Sequence, residues 1–497
     1  MSHLIEHGDS GQQPSSDHPN ASRRIKVCHV VATTEGAPWM LEQLRELRDR
    51  HGFDVHAVVS GHEGELVEKL RAARIPYHVS DFGSGAPQRV VGMLLAILKL
   101  ARLFRRERFD VVQTHIFLSM LTGRPAAWLA DVPVRLAMIA GPFHLEAHTS
   151  RWIERSTYWM DNALIPSCEK SVQLCKGMGI RDERLSLVHY SVDEEKFDPA
   201  LTPPANIRAE LGLAEDAPLV CMVAFFYPPL SSNSWIPAEV RGRAVKGHED
   251  LVRAAPLVLS EFPSAKFLLV GSGWGKPGEA YMEEVRELVR RLDLQESIIF
   301  AGYRADVNNI LREADVAVQA SLNENLGGTI EALMMERPLV ATRVGGMVDS
   351  VLDGVTGVLV NPSSPEDLAR GILELLRDPE RARELGRAGR RLMLEQFSLR
   401  KTAKDLDELY RRMLRRETAK RRPYNPLVSL YRLLLAAPIF FYFSFRLLFV
   451  DMLFPVILPT YLARLKHLIL RPAYFARTSL TKISPRWAKR MRRARYD

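Results

Sequence analysis

Residues 319 to 334 have the sequence Gln319-Ala-Ser-Leu-Asn-Glu-Asn-Leu-Gly-Gly-Thr-Ile-Glu-Ala-Leu-Met334, and a second apolar run follows at Pro338-Leu-Val-Ala-Thr-Arg-Val-Gly-Gly346. The pattern predicts a strand that ends near Gln319, a loop with two glycines, a helix that begins near Gly328 and a further strand. Backbone N–H groups at the start of such a helix, together with its dipole, form a pocket for phosphate. The segment therefore predicts a phosphate-binding loop in an α/β sheet.

Two glycines and two carboxylates give this loop further chemical meaning. Gly327 and Gly328 permit close approach of the backbone to a ligand. Glu331 falls in the first turn of the predicted helix, where a carboxylate can reach sugar hydroxyls beside the phosphate. Glu324 precedes the glycines and can face the same pocket. The alternative for each carboxylate is helix capping or a solvated loop charge.

The chain up to about residue 419 repeats this alternation of strands and helices in two successive units. The first unit opens with the apolar run Ile25–Val31. A polar connection with three prolines, Val192–Pro204, leads to the second unit, which begins with Leu219–Ala224. Two parallel sheets covered by helices are expected to face each other across a cleft, and that cleft is the expected ligand site. The predicted organisation is a disordered leader (1–24), an N-terminal Rossmann-like domain (25–195), a C-terminal Rossmann-like domain (205–396), a helix returning to the first domain (397–419) and a basic apolar tail (420–497).

Composition excludes several other classes of protein. Hydrophobic residues make up 46% of the chain and charged residues 26%, which rules out a wholly disordered or collagen-like chain. Four cysteines in 497 residues cannot make a disulfide framework, and no Cys-x-x-Cys pair suggests a zinc site. The leader is polar and lacks the apolar core of a secretory signal peptide. A reducing, cytoplasmic setting is therefore expected.

Charge is divided unevenly along the chain. Residues 420–497 contain 16 Lys and Arg against two acidic residues, whereas the preceding 419 residues contain 52 basic and 57 acidic side chains. Leu427–Leu470 is dense in Leu, Phe and Ile, but its longest charge-free runs have 13 and 12 residues, and a spanning helix needs about 20. The sequence favours helices that lie in a membrane interface through residues 427–497, with Arg486–Arg495 on anionic lipid.

This interpretation of the tail places the protein on the cytoplasmic face of the inner membrane, as a peripheral or monotopic protein. A re-entrant insertion is one alternative, and a helical appendage that packs on the body or on a second copy is another. Nucleic-acid binding by the tail is the third choice, and the density of Phe and Leu argues against it.

At the level of motifs, residues 25 to 414 resemble the retaining glycosyltransferases of family 4, which have the GT-B fold; residues 246–346 carry the strongest resemblance. In that family a Glu-x7-Glu motif flanks the phosphate loop. Glu331 matches the later Glu, which implies a contact with the ribose of the nucleotide. The earlier Glu falls at Asn323, and Glu324 is one residue late, so the residue that contacts the sugar is either Asn323 or Glu324.

The resemblance implies further residues for the donor. Val245-Lys-Gly-His-Glu249 is similar to the family's Lys-Gly turn, which implies that Lys246 neutralises the donor diphosphate. The family's Arg has no close match because of an insertion, and Arg243 is the chosen candidate over Arg241. Tyr303 is expected beside the base and Gly36 beside the diphosphate, although Glu35 can equally face the acceptor. The full predicted donor set is Gly36, Arg243, Lys246, Tyr303, Asn323, Glu324, Asn325, Leu326, Gly327, Gly328, Thr329 and Glu331.

The first unit is expected to supply the acceptor side. The resemblance implies that His144, preferred over His115, touches the donor sugar and the site of transfer, so the predicted catalytic residues are His144, Lys246 and Glu324. Arg124 and Arg155 are candidates for orienting an acceptor phosphate.

The predicted activity is retaining transfer of a hexose from a UDP- or GDP-sugar to a membrane-presented acceptor, a polyprenyl-diphosphate-linked sugar or a glycolipid. No metal is expected, because no Asp-x-Asp pair follows a strand. No cofactor besides the donor substrate and no nucleic-acid partner are expected either. Two alternatives stay open: an inactive membrane-bound GT-B scaffold and a GT-B sugar-nucleotide epimerase.

Overall fold

The structure is a computed structural model that describes residues 23–82 and 89–419. The predictions for the leader up to residue 22 and for the tail from residue 420 lie outside the described residues.

The first unit is a six-stranded parallel sheet with helices on both faces. Its strands are β1 (Lys26–Val31), β2 (Asp54–Val59), β3 (Tyr77–Val79), β4 (Val111–His115), β5 (Val134–Ile139) and β6 (Ala163–Pro166). Their order is β3-β2-β1-β4-β5-β6. Its helices are α1 (Pro38–Asp49), α2 (Glu65–Ala72), α3 (Arg89–Glu107), α4 (Ile116–Leu129), α5 (Phe143–Glu146), α6 (His148–Thr157) and α7 (Glu169–Gly177), with short 3-10 turns at Tyr158–Met160 and Asp182–Arg184.

The second unit repeats the same architecture. Its strands are β7 (Leu219–Val223), β8 (Lys266–Val270), β9 (Ile298–Gly302), β10 (Val316–Gln319), β11 (Leu339–Thr342) and β12 (Val358–Val360), in the order β12-β11-β10-β7-β8-β9. Its helices are α8 (Ile207–Glu210), α9 (His248–Leu259), α10 (Gly275–Arg291), α11 (Val307–Glu313), α12 (Thr329–Met334), α13 (Met347–Ser350), α14 (Pro365–Arg377), α15 (Pro379–Gln396) and α16 (Leu399–Thr418), with a 3-10 turn at Ala238–Val240. The predicted α/β fold of two Rossmann-like sheets is confirmed.

The central strands explain why apolar runs predicted this fold. β1 pairs in parallel with β2 on one side and β4 on the other, and Val27 to Val31 are fully buried. A strand that is covered on both faces is apolar throughout rather than alternating. In each sheet the strand order reverses beside the first strand, between β1 and β4 and between β7 and β10, so both sheets open a crevice at their carboxyl ends.

The last described helix, α16, returns to the first unit. Tyr410 on α16 donates a hydrogen bond to Gln113 Oε1 at 2.6 Å, and Asp407 lies 3.0 Å from His51 Nδ1. The predicted linker also contacts α16 at its start, because the Val192 N–H donates to the carbonyl of Phe397 at 3.2 Å. Among the described residues, no helix combines the length and apolar character needed to cross a membrane.

Candidate active site

A cavity of about 440 Å³ lies where the carboxyl ends of the two sheets meet. The second unit contributes the glycine loop and the start of α12, and the first unit contributes α1 and the linker. The lining residues used below are Trp39, Glu42, Lys69, Ile116, Tyr190, Lys196, Glu324, Asn325, Leu326, Gly327 and Glu331.

Lys246 stands on a tight turn before α9. Gly247 has a φ of 74°, and a Cβ there would lie 2.0 Å from the carbonyl oxygen of Ala320, so only glycine fits this position. The Leu322 N–H also donates to the carbonyl of Val245 at 2.8 Å. Both contacts hold the Lys246 turn against the loop that carries Glu324, although the two residues are 78 positions apart.

Lys246 and Glu324 form a partly buried ion pair. The Nζ atom of Lys246 donates to Oε2 of Glu324, and the two side chains are 19% and 14% exposed. Burial opposes the charged form of Lys246, but the attraction of Glu324 outweighs it and raises the pKa of Lys246 above its ordinary value. Lys246 is therefore a fixed cation held beside the cavity by Glu324. Its Nζ atom also lies 5.8 Å from the centroid of the Tyr227 ring.

The loop of Glu324 is held by close backbone contacts. The Asn325 N–H donates to Glu324 Oε1 at 3.1 Å, and Ser321 Oγ donates to Oε2 at 3.3 Å. Gly345 approaches so closely that a Cβ would collide with the Glu324 carbonyl oxygen at 1.7 Å. Gly327 adopts a φ of 57°. This packing orients the Glu324 carboxylate before any ligand is present.

Two asparagines of the same loop turn toward the first unit. Asn323 Nδ2 donates to Glu146 Oε2 at 2.5 Å, and Ser167 Oγ donates to Asn325 Oδ1 at 2.9 Å. A Cβ on Gly141 would lie 2.8 Å from the Cβ of Asn325, so the two units touch here. Of the two candidates for the sugar contact, the structure places Glu324 on the cavity wall and directs Asn323 to the domain interface.

Glu331 lines the cavity from the first turn of α12. Its carboxylate makes no hydrogen bond or ion pair within residues 23–82 and 89–419, and burial raises its pKa, with Lys196 opposing the shift. Thr329 behind it is fully buried and shares a 2.8 Å hydrogen bond with Ser350 Oγ. Gly328 is pressed on Gln319, where a Cβ would lie 2.4 Å from Nε2. Leu326 is 2% exposed and supports the loop.

Tyr303 belongs to an aromatic cluster at the ends of β7, β8 and β9. It is 61% exposed and lies parallel to Phe225, with 6.2 Å between ring centroids. Phe225 also meets Trp274 edge-on at 5.2 Å. An exposed ring with a supported back face is suited to stack on a planar ligand.

Two predicted donor residues lie elsewhere. Arg243 is exposed and donates to Ser363 Oγ at 2.6 Å, whereas Lys246 contacts the cavity-lining Glu324. Gly36 has a φ of 67° and faces Trp274, since a Cβ there would lie 3.9 Å from its ring. Glu35 accepts a hydrogen bond from the Glu65 N–H at 3.3 Å, at the start of α2.

The histidines of the first unit are buried. His144 is 8% exposed, its Nε2 has no partner among the described residues, and burial lowers its pKa to about 4. The Phe117 ring stacks on His144 with 5.3 Å between ring centroids, and another neighbour of that ring is Trp235. Trp235 belongs to the insertion of the second unit, between β7 and α9. His115 Nε2 lies 3.1 Å from His29 Nδ1, and burial lowers the pKa of both rings.

Arg124 is not available to an acceptor phosphate. Its guanidinium is 2% exposed and pairs with Glu154 at 2.7 Å and Asp161 at 2.6 Å. These two carboxylates satisfy a cation that cannot stay buried alone. The candidate role of Arg124 is therefore wrong.

Sequence reasoning missed four lining residues. Trp39 and Tyr190 pack edge to face at 4.6 Å, and Lys196 comes from the predicted linker. Ile116 has a φ of 65°, a strained value for a β-branched residue, and such strain is common at functional sites. The β4 strand end was visible in the sequence, but the backbone conformation after it was not.

Two Rossmann-like domains that face each other across a cleft define the GT-B fold. Two sequence families match this chain: "Glycosyl transferases group 1" over residues 239–378 and "Glycosyl transferase 4-like domain" over residues 35–191. Together they cover more than half of the chain. The chain belongs to the group 1 glycosyltransferases.

Individual relatives agree with this assignment. A putative glycosyltransferase EpsD of Bacillus subtilis is 26% identical over 72% of this chain and 89% of its own length. An Escherichia coli UDP-Gal:alpha-D-GlcNAc-diphosphoundecaprenol alpha-1,3-galactosyltransferase is 22% identical over 71% of this chain and 89% of its own length. Anabaena Alr3699/HepE, solved with UDP and glucose, aligns with a TM-score of 0.64 at 20% identity, over 78% of this chain and 99% of that one. These likenesses agree with the family assignment and with the GT-B fold.

Proposed function

We propose that this enzyme moves a hexose from a nucleoside diphosphate sugar to a lipid-linked acceptor and retains the configuration at the anomeric carbon. The observation that carries the proposal is the Lys246–Glu324 pair, which fixes a cation directly beside a carboxylate that lines the cavity. A nucleoside diphosphate sugar needs both groups. Its diphosphate attracts the cation, and its sugar hydroxyls can donate to the carboxylate.

The main chemical demand is stabilisation of the leaving group. As the bond between the anomeric carbon and the diphosphate oxygen breaks, negative charge grows on the diphosphate. Lys246 stabilises that charge in a water-poor cleft, where an oriented cation contributes most. The N–H groups of Gly327 and Gly328 donate no hydrogen bond within the described part of the chain and can add to this stabilisation. The Glu331 carboxylate accepts hydrogen bonds from the ribose hydroxyls, and the Tyr303 ring stacks on the base.

The family resemblance implies a front-face reaction, and the proposed roles are compatible with it. The acceptor oxygen forms the new bond to the anomeric carbon on the face from which the diphosphate departs. The acceptor proton passes to the departing phosphate oxygen, so no protein nucleophile is needed. Because Lys246 supplies positive charge, we propose that neither a divalent metal nor a cofactor takes part.

Two arguments favour a lipid-linked acceptor at the cytoplasmic membrane face. The tail, residues 420–497, combines apolar runs with 16 basic side chains, a composition that suits an anionic membrane. One relative acts, by its name, on a sugar linked to diphosphoundecaprenol. Trp39 and Tyr190 give the first unit an aromatic wall that can pack on an acceptor sugar.

The test is to incubate the full chain with UDP- and GDP-sugars and polyprenyl-diphosphate-linked sugars, with EDTA present, and to identify products by mass spectrometry. NMR of the new linkage gives the anomeric configuration. Transfer only to water-soluble acceptors contradicts the acceptor proposal, and inversion contradicts the front-face reaction. Loss of activity in EDTA contradicts metal independence. Donor turnover to an epimer without acceptor favours the epimerase, and absence of donor binding favours the scaffold.

A further inference from the structure

The outer side of α3 exposes three leucines in adjacent turns. Leu94, Leu95 and Leu98 are 38%, 50% and 50% exposed. The opposite side of the helix is packed into the first unit, where Ile97 and Phe104 are at most 2% exposed. Single exposed leucines are ordinary, whereas these three share one face of the helix and form a joined apolar patch.

Unpaired cations lie on the same side of α3. Residues 89–107 contain five basic residues and one acidic residue, Glu107. Glu107 pairs with Lys26 at 3.0 Å and accepts from Arg106 at 3.1 Å. Lys99 and Arg102 are exposed and form no ion pair within the described residues. At 100° per residue, the three leucines, Lys99 and Arg102 share an arc of about 140°.

This surface extends toward the cavity. α3 packs along α4, and the first turn of α4 exposes Ile116 and Leu118 at 40% and 43%. Ile116 also lines the cavity. Apolar side chains are therefore exposed both on α3 and at the cavity mouth.

We propose that this surface of α3, formed by Leu94, Leu95, Leu98, Lys99 and Arg102 and called the α3 face below, docks on an anionic lipid bilayer. A bilayer offers hydrocarbon to the leucines and negative head groups to the cations. The tail is a less suitable cover because it is itself strongly basic, and a second copy of the α3 face would oppose like charges.

Docking of the α3 face on a bilayer would explain how a lipid-linked acceptor reaches the cavity, and this explanation rests on the proposed function. A bilayer held against α3 brings the cavity mouth close to the head groups, where a lipid-linked acceptor presents its sugar. The binding test below contains no sugar nucleotide, so it can fail or succeed independently of transfer.

The chain permits a site-specific test because all four native cysteines are buried. Leu95→Cys in the full chain is labelled with a polarity-sensitive fluorophore, and Leu257→Cys, 44% exposed on α9, is the matched control. We expect the emission at position 95 to shift to the blue with vesicles that contain phosphatidylglycerol, and not with phosphatidylcholine alone. Position 257 should shift with neither. A bound protein without a shift at position 95 overturns the proposal, since the tail alone then binds. A blue emission before vesicles are added, unchanged by them, also overturns it, because the tail or a second copy covers α3.

A second measurement uses charge reversal. The triple variant Leu94→Glu, Leu95→Glu, Leu98→Glu should need about tenfold more phosphatidylglycerol vesicles for half-maximal sedimentation. The control triple, Leu201→Glu, Leu257→Glu, Leu352→Glu, changes leucines that are 72%, 44% and 43% exposed and should bind like the wild type. Equal binding by both triples overturns the proposal. Transfer to a soluble acceptor should be unchanged in the α3 triple.

Discussion

The loops that follow the central strands differ between the two units. In the second unit they hold ions at the cleft: Glu324 lines the cavity and is paired with Lys246, and Glu331 lines it without an ion-pair partner in the described part of the chain. In the first unit β4 ends at the buried His115 and β5 is followed by the buried His144, and the pKa of His144 falls to about 4 because of burial. Charged rim residues such as Glu42 come from α1 rather than from these loops.

This difference assigns the substrates to the two sides. A diphosphate carries its own negative charge and needs a fixed cation. The strand-end loops of the second unit supply Lys246, whereas the cavity-lining Lys69 and Lys196 come from α2 and the linker. A sugar hydroxyl acceptor is uncharged, and an aromatic wall such as Trp39 and Tyr190 suits it better than an ion. The comparison therefore predicts that changes on the second unit affect the donor and the chemical step most.

Removal of the Lys246 cation should have the largest effect. Lys246→Ala takes away the charge that stabilises the leaving diphosphate and leaves Glu324 without its partner. We expect kcat to fall about 10²- to 10³-fold. Arg243→Ala is the matched control, because Arg243 is an exposed cation that contacts Ser363 instead of Glu324. Its kcat should change less than about twofold. Steady-state release of the nucleoside diphosphate measures both, and similar losses in the two variants would refute the assignment of the cation.

Glu331→Gln should weaken donor binding and stabilise the donor-free protein. Loss of a charged acceptor for the ribose should raise the donor Kd about tenfold. Burial raises the pKa of Glu331, so its ionised form costs stability as the pH rises from the ordinary glutamate range through the raised value. Without donor, the Gln variant should therefore melt higher at pH 7, and the difference should vanish below pH about 4.

Calorimetric titration and thermal unfolding at the two pH values measure these opposite effects. If Glu331 were a structural anchor, the Gln variant would melt lower at pH 7.

Substitution of Tyr303 should have a smaller effect on donor binding. Tyr303→Ala removes the exposed ring that lies parallel to Phe225, and loss of a base stack of about 1 kcal/mol should raise the donor KM about fivefold. Tyr303→Phe keeps the ring and should keep the KM. Equal effects of both variants would show that the hydroxyl, not the ring face, matters.

The sequence predicted individual strands and helices well, but it did not predict which distant residues are in contact. Strands such as Lys266–Val270 follow directly from apolar runs of strand length. The contact of Lys246 with Glu324 depends on β7 and β10 being neighbours, and strand order is a property of the whole sheet. The prolines of Val192–Pro204 indicated a connection, but not that Lys196 within it would line the cavity.

The surroundings of His144 likewise depend on long-range contacts that the sequence does not predict. The family resemblance implied a histidine in contact with the donor sugar, and its position at a strand end agreed. Whether the ring reaches the cleft depends on Phe117 and on the insertion that carries Trp235. The Thr149 N–H donates to the carbonyl of Ser234 at 3.2 Å, which holds that insertion on the first unit. A contact of this kind has no local sequence pattern.

The smallest expected effect is the pH dependence contributed by His144. An ordinary histidine changes charge near pH 6.5, but burial lowers the pKa of His144 to about 4, so its ring stays neutral across the working range. The profile of kcat/KM between pH 5.5 and 8 should therefore have the same shape in the wild type and in His144→Gln, whatever the change in its height. A glutamine keeps a polar group without a titratable proton, so the pair isolates ionisation from packing. An inflection near pH 6.5 that disappears in the Gln variant would mean that the ring titrates in the cleft, and the contrast between a charged donor wall and a neutral acceptor wall would then fail.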